Sequence, residues 1–159
     1  METSQRVSEF QLQFSSAATS LSEDNLDQLL AFYSPEARFI DPFAELVGQA
    51  PIRASYASMF KHLHGARFVC QDWANAIDSG ASPKMMMTWL FLFKARPSSQ
   101  ETCIKGASWL ELNPDTLLID LHQDYWDASA LLAAFPGLGW LIRKVKSRIA
   151  NAGHVIEKS

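Results

Sequence analysis

An α+β fold follows from three features of this sequence. Apolar residues recur at helical spacing through the early part of the chain, they alternate at strand spacing through most of the remainder, and the alternating segments are joined by short turns. With 159 residues and no repeat, low-complexity tract or Gly/Ser-rich linker, the chain has the material for one core. Strands joined by short turns pair antiparallel, and the helices that precede them must cover one face of the sheet. A strongly curved sheet closed in this way is a cone with an interior, where a ligand can sit.

The first helix is marked by Val7, Phe10, Phe14, Ala17 and Leu21. The second follows the capping candidate Ser22 and carries Leu26, Leu29, Leu30 and Tyr33 on one stripe, with Pro35 expected to stop it. A short strand is expected next, with Phe39, Asp41 and Phe43 on one face and Arg38 and Ile40 on the other. Pro51 opens a third helix that buries Ile52, Tyr56, Met59, Phe60 and Leu63. After Gly65 the period changes, and four long strands are expected over 67–77, 84–94, 102–112 and 117–126. The turns between them fall at Ser79-Gly80, Pro97-Ser98 and Asn113-Pro114-Asp115.

Alternation proposes which side chains look inward. In the third long strand Ile104, Gly106, Ser108, Leu110 and Leu112 share a face opposite Lys105, Trp109 and Glu111, so Ser108 points into the cone. The last strand is ambiguous, with Leu118, Asp120, His122, Asp124 and Trp126 on one face and Ile119, Leu121, Gln123 and Tyr125 on the other. Hydrophobicity alone would bury the second set.

Charge is unevenly placed. Residues 1–126 hold 9 Lys and Arg against 15 Asp and Glu, whereas 127–159 hold 5 against 2. An acidic body argues against nucleic acid as a partner, because phosphate binding wants a basic face. The body is expected to span 1–127 and a C-terminal extension 128–159. In the extension Leu131 and Leu132 begin a short helix broken at Pro136-Gly137, and a basic amphipathic helix follows, with Leu138, Leu141, Ile142, Val145 and Ile149 on its stripe. Packing of that stripe on the body or a partner subunit is favoured over membrane contact through Trp140 and the surrounding cations. Cys70 and Cys103 are read as reduced, placing the chain in the cytoplasm, and no stretch is apolar for the ~20 residues that span a bilayer.

Two landmarks carry chemistry: Asp41-Pro42-Phe43, and Tyr125-Trp126 at the end of the last strand. A carboxylate among apolar neighbours is costly unless something pairs or uses it. Asp41 packed against Phe39, Phe43 and Trp126 would be a general base or acid, with His122 and Asp124 as a second acid/base pair and Ser108 as a weaker donor. The bland alternatives are an Asp41 carboxylate that only accepts backbone N–H bonds in a turn, and a His122–Asp124 pair that is structural. His122 and Asp124 could also supply two metal ligands, but no third stands at a supporting spacing, so no metal is expected. No phosphate-binding glycine loop, nucleophile elbow or zinc motif is present.

The stretch from Phe32 through Tyr33-Ser34-Pro35 to Asp41-Pro42-Phe43, followed by Gly48, Ile52, Tyr56 and Phe60, resembles the nuclear-transport-factor-2-like (NTF2-like) superfamily, in particular its SnoaL-like and ketosteroid-isomerase-like branches. The strand Ile119 to Trp126 resembles theirs too, and the likeness runs over about residues 5–127. It implies an NTF2-like (cystatin-like) cone, a curved antiparallel sheet on three helices, here with an extra C-terminal helix, and a homodimer packed through the sheet. It further implies Asp41 as the proton-shuttling base and Trp126 as a pocket wall, with His122 and Asp124 on the pocket face. Phe14, Phe39, Phe43, Tyr56, Trp89 and Ser108 complete the expected ligand-binding set. Ser108 and Phe14 stand where the isomerases carry an acid and a tyrosine as oxyanion donors, so steroid isomerisation is not expected. The resemblance leaves a binder of a small apolar or aromatic molecule, acting without a cofactor as a cyclase, isomerase or dehydratase, or alternatively a non-catalytic dimerisation or protein-interaction module.

Overall fold

Val7, Phe10, Phe14 and Ala18 fall on one side of helix α1 (Glu2–Thr19), and all four are buried. Ala18 takes the place expected for Ala17, which is half-buried, because 14 to 18 is the step of four that stays on the stripe. The computed structural model describes residues 2–76 and 82–135, with 140, 144 and 147. By its internal contacts the chain divides into two units, Met1–Trp126 and Asp127–Ser159.

In the first unit a 3-10 turn (Glu23–Asn25) leads into the short helix α2 (Leu26–Leu30). The Asn25 side chain accepts a 2.7 Å bond from the Ser22 N–H, satisfying a donor that the helix start leaves open. Contrary to expectation, Tyr33 is not helical and Pro35 lies inside a strand, β1 (Tyr33–Ile40). The rule that ends a helix before proline also holds the preceding residue extended, and here it starts the strand. Pro35 sits where the pairing of β1 with its neighbour shifts register between Tyr33 and Arg38, so its missing N–H costs no ladder bond. β1 then ends at Ile40, and the chain turns into β2 (Glu45–Val47) instead of carrying Asp41 and Phe43 along the same strand. Gly48, at φ +90°, opens helix α3 (Gln49–His62) in a conformation that L side chains avoid. Ile52 is fully buried in α3, whereas Tyr56, Met59 and Phe60 are half-buried.

The four long strands are β3 (His64–Asn75), β4 (Lys84–Lys94), β5 (Thr102–Leu112) and β6 (Ile119–Trp126). They form the expected antiparallel meander in a sheet of order β2-β1-β6-β5-β4-β3. β1 runs parallel to β6 and β2 antiparallel to β1. The inner face of β4 carries Met85, Met87, Trp89, Phe91 and Phe93, all buried. Across it stand Leu110, Ser108, Gly106 and Ile104 of β5. Trp89 lies over Gly106 so closely that a Cβ there would come 2.3 Å from the indole.

β6 settles the ambiguity of its two faces by using both. Leu112 is opposite Ile119, but Glu111 is opposite Leu121, so two steps along β6 match one along β5. Such a bulge inserts one residue, here the exposed Asp120, and reverses the in/out parity beyond it. Ile119 and His122, which strict alternation puts on opposite faces, therefore both point inward, opposite Leu112 and Leu110, and both are buried.

In the second unit Asp127 caps helix α4 (Ala128–Ala133), its carboxylate accepting the Ser129 N–H at 2.9 Å. The basic helix expected over 138–149 lies outside the described residues apart from Trp140, Lys144 and Ser147. Among the described residues no helix is long and apolar enough to cross a membrane.

Candidate functional site

Between α1, α2, α3 and the inner face of the sheet lies a cavity lined by the apolar groups of Phe14, Leu21, Leu29, Phe68, Met87 and Trp89. Its polar wall is Ser108, His122 and Asp124, with Tyr56 and Cys70 beside them. About 30 Å³ is open to water centres, within about 370 Å³ of unfilled space that includes its opening to solvent. That is room for one or two waters as it stands.

The strands place the polar groups in register. Ser108 is opposite Asp124 across β5 and β6, and Leu110 is opposite His122, so the bulge at Asp120 brings three polar side chains to one wall. Ser108 and His122 are 1% and 3% exposed. His122 Nε2 lies 2.8 Å from Asp124 Oδ1, and Ser108 Oγ donates to the same oxygen at 2.5 Å. Ser108 Oγ in turn accepts from Trp89 Nε1 at 2.8 Å and lies 3.1 Å from His122 Nε2. On the other side of the imidazole, Nδ1 is 2.7 Å from Tyr33 Oη, with the two rings parallel within 3°. Phe39 covers His122 at 4.8 Å between centroids, and the Phe14 ring meets it edgewise at 6.4 Å.

Ser108 Oγ gives its proton to Asp124 Oδ1, and His122 Nε2 faces the same oxygen. Oδ2 is left out of both bonds. Burial holds the Tyr33 phenol well above its ordinary range, with the Tyr56 phenol next and the Asp124 charge adding to it. Burial also raises Tyr56, followed by the Asp124 charge and, more weakly, that of Asp41. Both phenols are therefore donors at neutral pH. Burial pushes the Cys70 thiol up as well, which keeps it a poor nucleophile. Among the described residues no three His, Cys, Asp or Glu side chains come together to hold a metal ion.

The structure brings His122, Asp124, Ser108, Trp89, Tyr56 and Phe14 to one cavity. Asp41, Phe39, Phe43 and Trp126 are not among the residues lining it. Asp41 Oδ1 accepts the N–H groups of Phe43 at 2.7 Å and Ala44 at 2.8 Å, which is the work of a turn-forming aspartate. Phe43 is 54% exposed and meets the half-buried Trp126 edge to face at 5.4 Å, so this pair of landmarks is a contact at the protein surface. Trp73 packs under α1 against Phe10 and Phe14 and donates to Ser15 Oγ at 2.9 Å. Tyr33 is the site residue that periodicity hides, because its apolar spacing assigns it to a helix stripe. The signal available was its place in the Tyr33-Ser34-Pro35 run, where proline demands extended chain.

No curated protein matches the chain in sequence. Solved structures do match in fold. A candidate isomerase from Bacillus subtilis is 16% identical, with a TM-score of 0.66 over 86% of this chain and 97% of that one. A candidate polyketide cyclase from Xanthomonas campestris is 13% identical, with a TM-score of 0.62 over 83% of this chain and 98% of that one. A protein with a ketosteroid isomerase-like fold from Catenulispora acidiphila, solved with trimethylamine, is 16% identical, with a TM-score of 0.63 over 77% of this chain and 88% of that one. At these identities they share the fold alone. The model of the SnoaL-like domain matches residues 16–118, from the last turn of α1 through α2, α3 and the strands β1 to β5, ending just before β6. The curved sheet, the helices over its inner face and this match together make the chain a member of the SnoaL-like domain family, with an NTF2-like fold.

Proposed function

We propose that the chain binds a small, neutral, largely apolar carbonyl compound and moves protons on it without a cofactor, as an isomerase, cyclase or dehydratase. The observation that carries this reading is the half-buried Asp124 carboxylate, held by the buried His122 and Ser108 on the wall of a largely apolar cavity. Asp124 Oδ2 is the proton acceptor, and the Tyr56 hydroxyl on the same cavity is the donor to the carbonyl oxygen where negative charge develops. Among the described residues no Lys or Arg lines the cavity, which disfavours carboxylates and phosphates as ligands. The SnoaL-like family and the candidate isomerase and cyclase among its structural neighbours support the reaction class. Asp41, committed to its turn, has no step in this scheme.

The test is a panel of small enones, β-dicarbonyls and hydroxylated aromatics, scored by thermal shift and by loss of enone or aromatic absorbance. Asp124→Asn should lower kcat about 100-fold or more, the scale of a general base, while ligand affinity changes a few-fold. Asp41→Asn keeps the turn acceptor and should leave kcat within about threefold. Full activity in Asp124→Asn, or no ligand that shifts the melting temperature, would overturn the reading.

A further inference from the structure

Tyr33 is 1% exposed and is not among the residues that line the cavity, yet it makes one of the shortest bonds in the polar network. Among the described residues its hydroxyl has two hydrogen-bonding partners. His122 Nδ1 is at 2.7 Å, and Tyr56 Oη is at 3.4 Å, beyond ordinary O–H···O reach. The Tyr33 proton therefore belongs to the bond with Nδ1, and a nitrogen that accepts carries no proton of its own. On the opposite edge of the ring, Nε2 faces the Asp124 carboxylate, which needs a donor.

We infer that Tyr33 is the positioning residue of the site: it fixes His122 as the Nε2–H tautomer, and His122 in turn holds Asp124 Oδ1 so that Oδ2 faces the cavity. This inference rests on the acid/base reading above for its consequence in turnover, but its structural content stands apart from any substrate. The ring nitrogen that bears the proton is set by the bond the other nitrogen makes. Three features lock the arrangement. The phenol and imidazole planes are parallel within 3°, Phe39 packs on the imidazole at 4.8 Å, and the Trp89-to-Ser108-to-Asp124 chain fixes the carboxylate from the far side. Removal of the Tyr33 hydroxyl leaves Nδ1 buried without its donor. The ring then has only the Asp124 bond to hold its proton on Nε2, and it is free to take other orientations.

The experiment is nitrogen NMR of the histidine side chains in the unliganded protein at neutral pH, with His122 assigned by its absence in His122→Gln. The expected result is a proton on Nε2 alone in the wild type, and in Tyr33→Phe a loss of that single state, seen as an averaged or two-state nitrogen pattern. A proton on Nδ1 in the wild type, alone or together with one on Nε2, overturns the inference. So does an unchanged Nε2–H state in a folded Tyr33→Phe. If Tyr33→Phe does not fold, the wild-type tautomer still decides the matter. Where a turnover assay exists, Tyr33→Phe should lower kcat at least tenfold with KM nearly unchanged, and Tyr33→Trp should not restore it. A wild-type protein with the Nε2–H tautomer but no turnover on any compound would remove the enzymatic reading and leave the role of Tyr33 standing.

Discussion

At the scale of single residues, Gly106 shows how a site is set by what is missing. Trp89 occupies the space where any side chain at 106 would stand, and its indole N–H thereby reaches Ser108 Oγ. Gly106→Ala forces a rigid ring, rather than a flexible chain end, to move. The expected cost is about 1–3 kcal/mol, as for overpacked cores, measured as a drop in the urea midpoint with altered tryptophan fluorescence. Native stability and emission in the Gly106→Ala protein would show that the indole is not seated there. The same comparison separates Asp41 from Asp124. Both are aspartates with aromatic residues within two positions in sequence, but the first spends its carboxylate on two backbone N–H groups and the second on His122 and Ser108. A pattern of residue types cannot tell these apart, because the difference lies in which partners the fold delivers.

At the scale of elements, the bulge in β6 decides the chemistry of the cavity. Strict alternation would give the interior either Ile119 or His122, and the extra residue Asp120 gives it both. Deletion of Asp120 should turn one of them out and cost about 2–5 kcal/mol, comparable to losing a buried Ile. Asp120→Ala, which keeps the bulge and alters only an exposed side chain, should stay within about 0.5 kcal/mol. Equal stability of the two variants in urea denaturation would mean that the bulge does not set the faces. Elements with a clean period were legible in advance: β4 and β5 begin and end where alternation places them, at Lys84–Lys94 and Thr102–Leu112. β1 was not, because Tyr33 extends the helical spacing of Leu26, Leu29 and Leu30 and only Pro35 hints at extended chain.

At the scale of the whole molecule, the buried phenols make the fold sensitive to alkali. The Tyr33 phenol ionises well above its ordinary value in the folded chain because burial penalises the phenolate. Unfolded chain releases that proton near pH 10, so above this the native state holds more protons than the unfolded one. Stability is thus fully present below about pH 10 and falls as pH rises, by about 1.4 kcal/mol per pH unit from Tyr33 alone. Tyr56 is pushed in the same direction. Phenolate absorbance from these two tyrosines should appear together with the loss of near-ultraviolet circular dichroism. Ionisation of Tyr33 near pH 10 with the fold intact would contradict its burial.

The sequence by itself determined the α+β class, the order of helices before strands and the inward row of β5, because each rests on a local period that the backbone enforces. It also carried enough of the Phe32-to-Phe43 run to mark the superfamily. Only the tertiary structure decided which carboxylate serves the cavity. That choice depends on strand register, on one inserted residue in β6 and on a tyrosine brought from β1 to the far side of the imidazole. These are long-range relations, fixed by pairing and packing between segments that no local period connects.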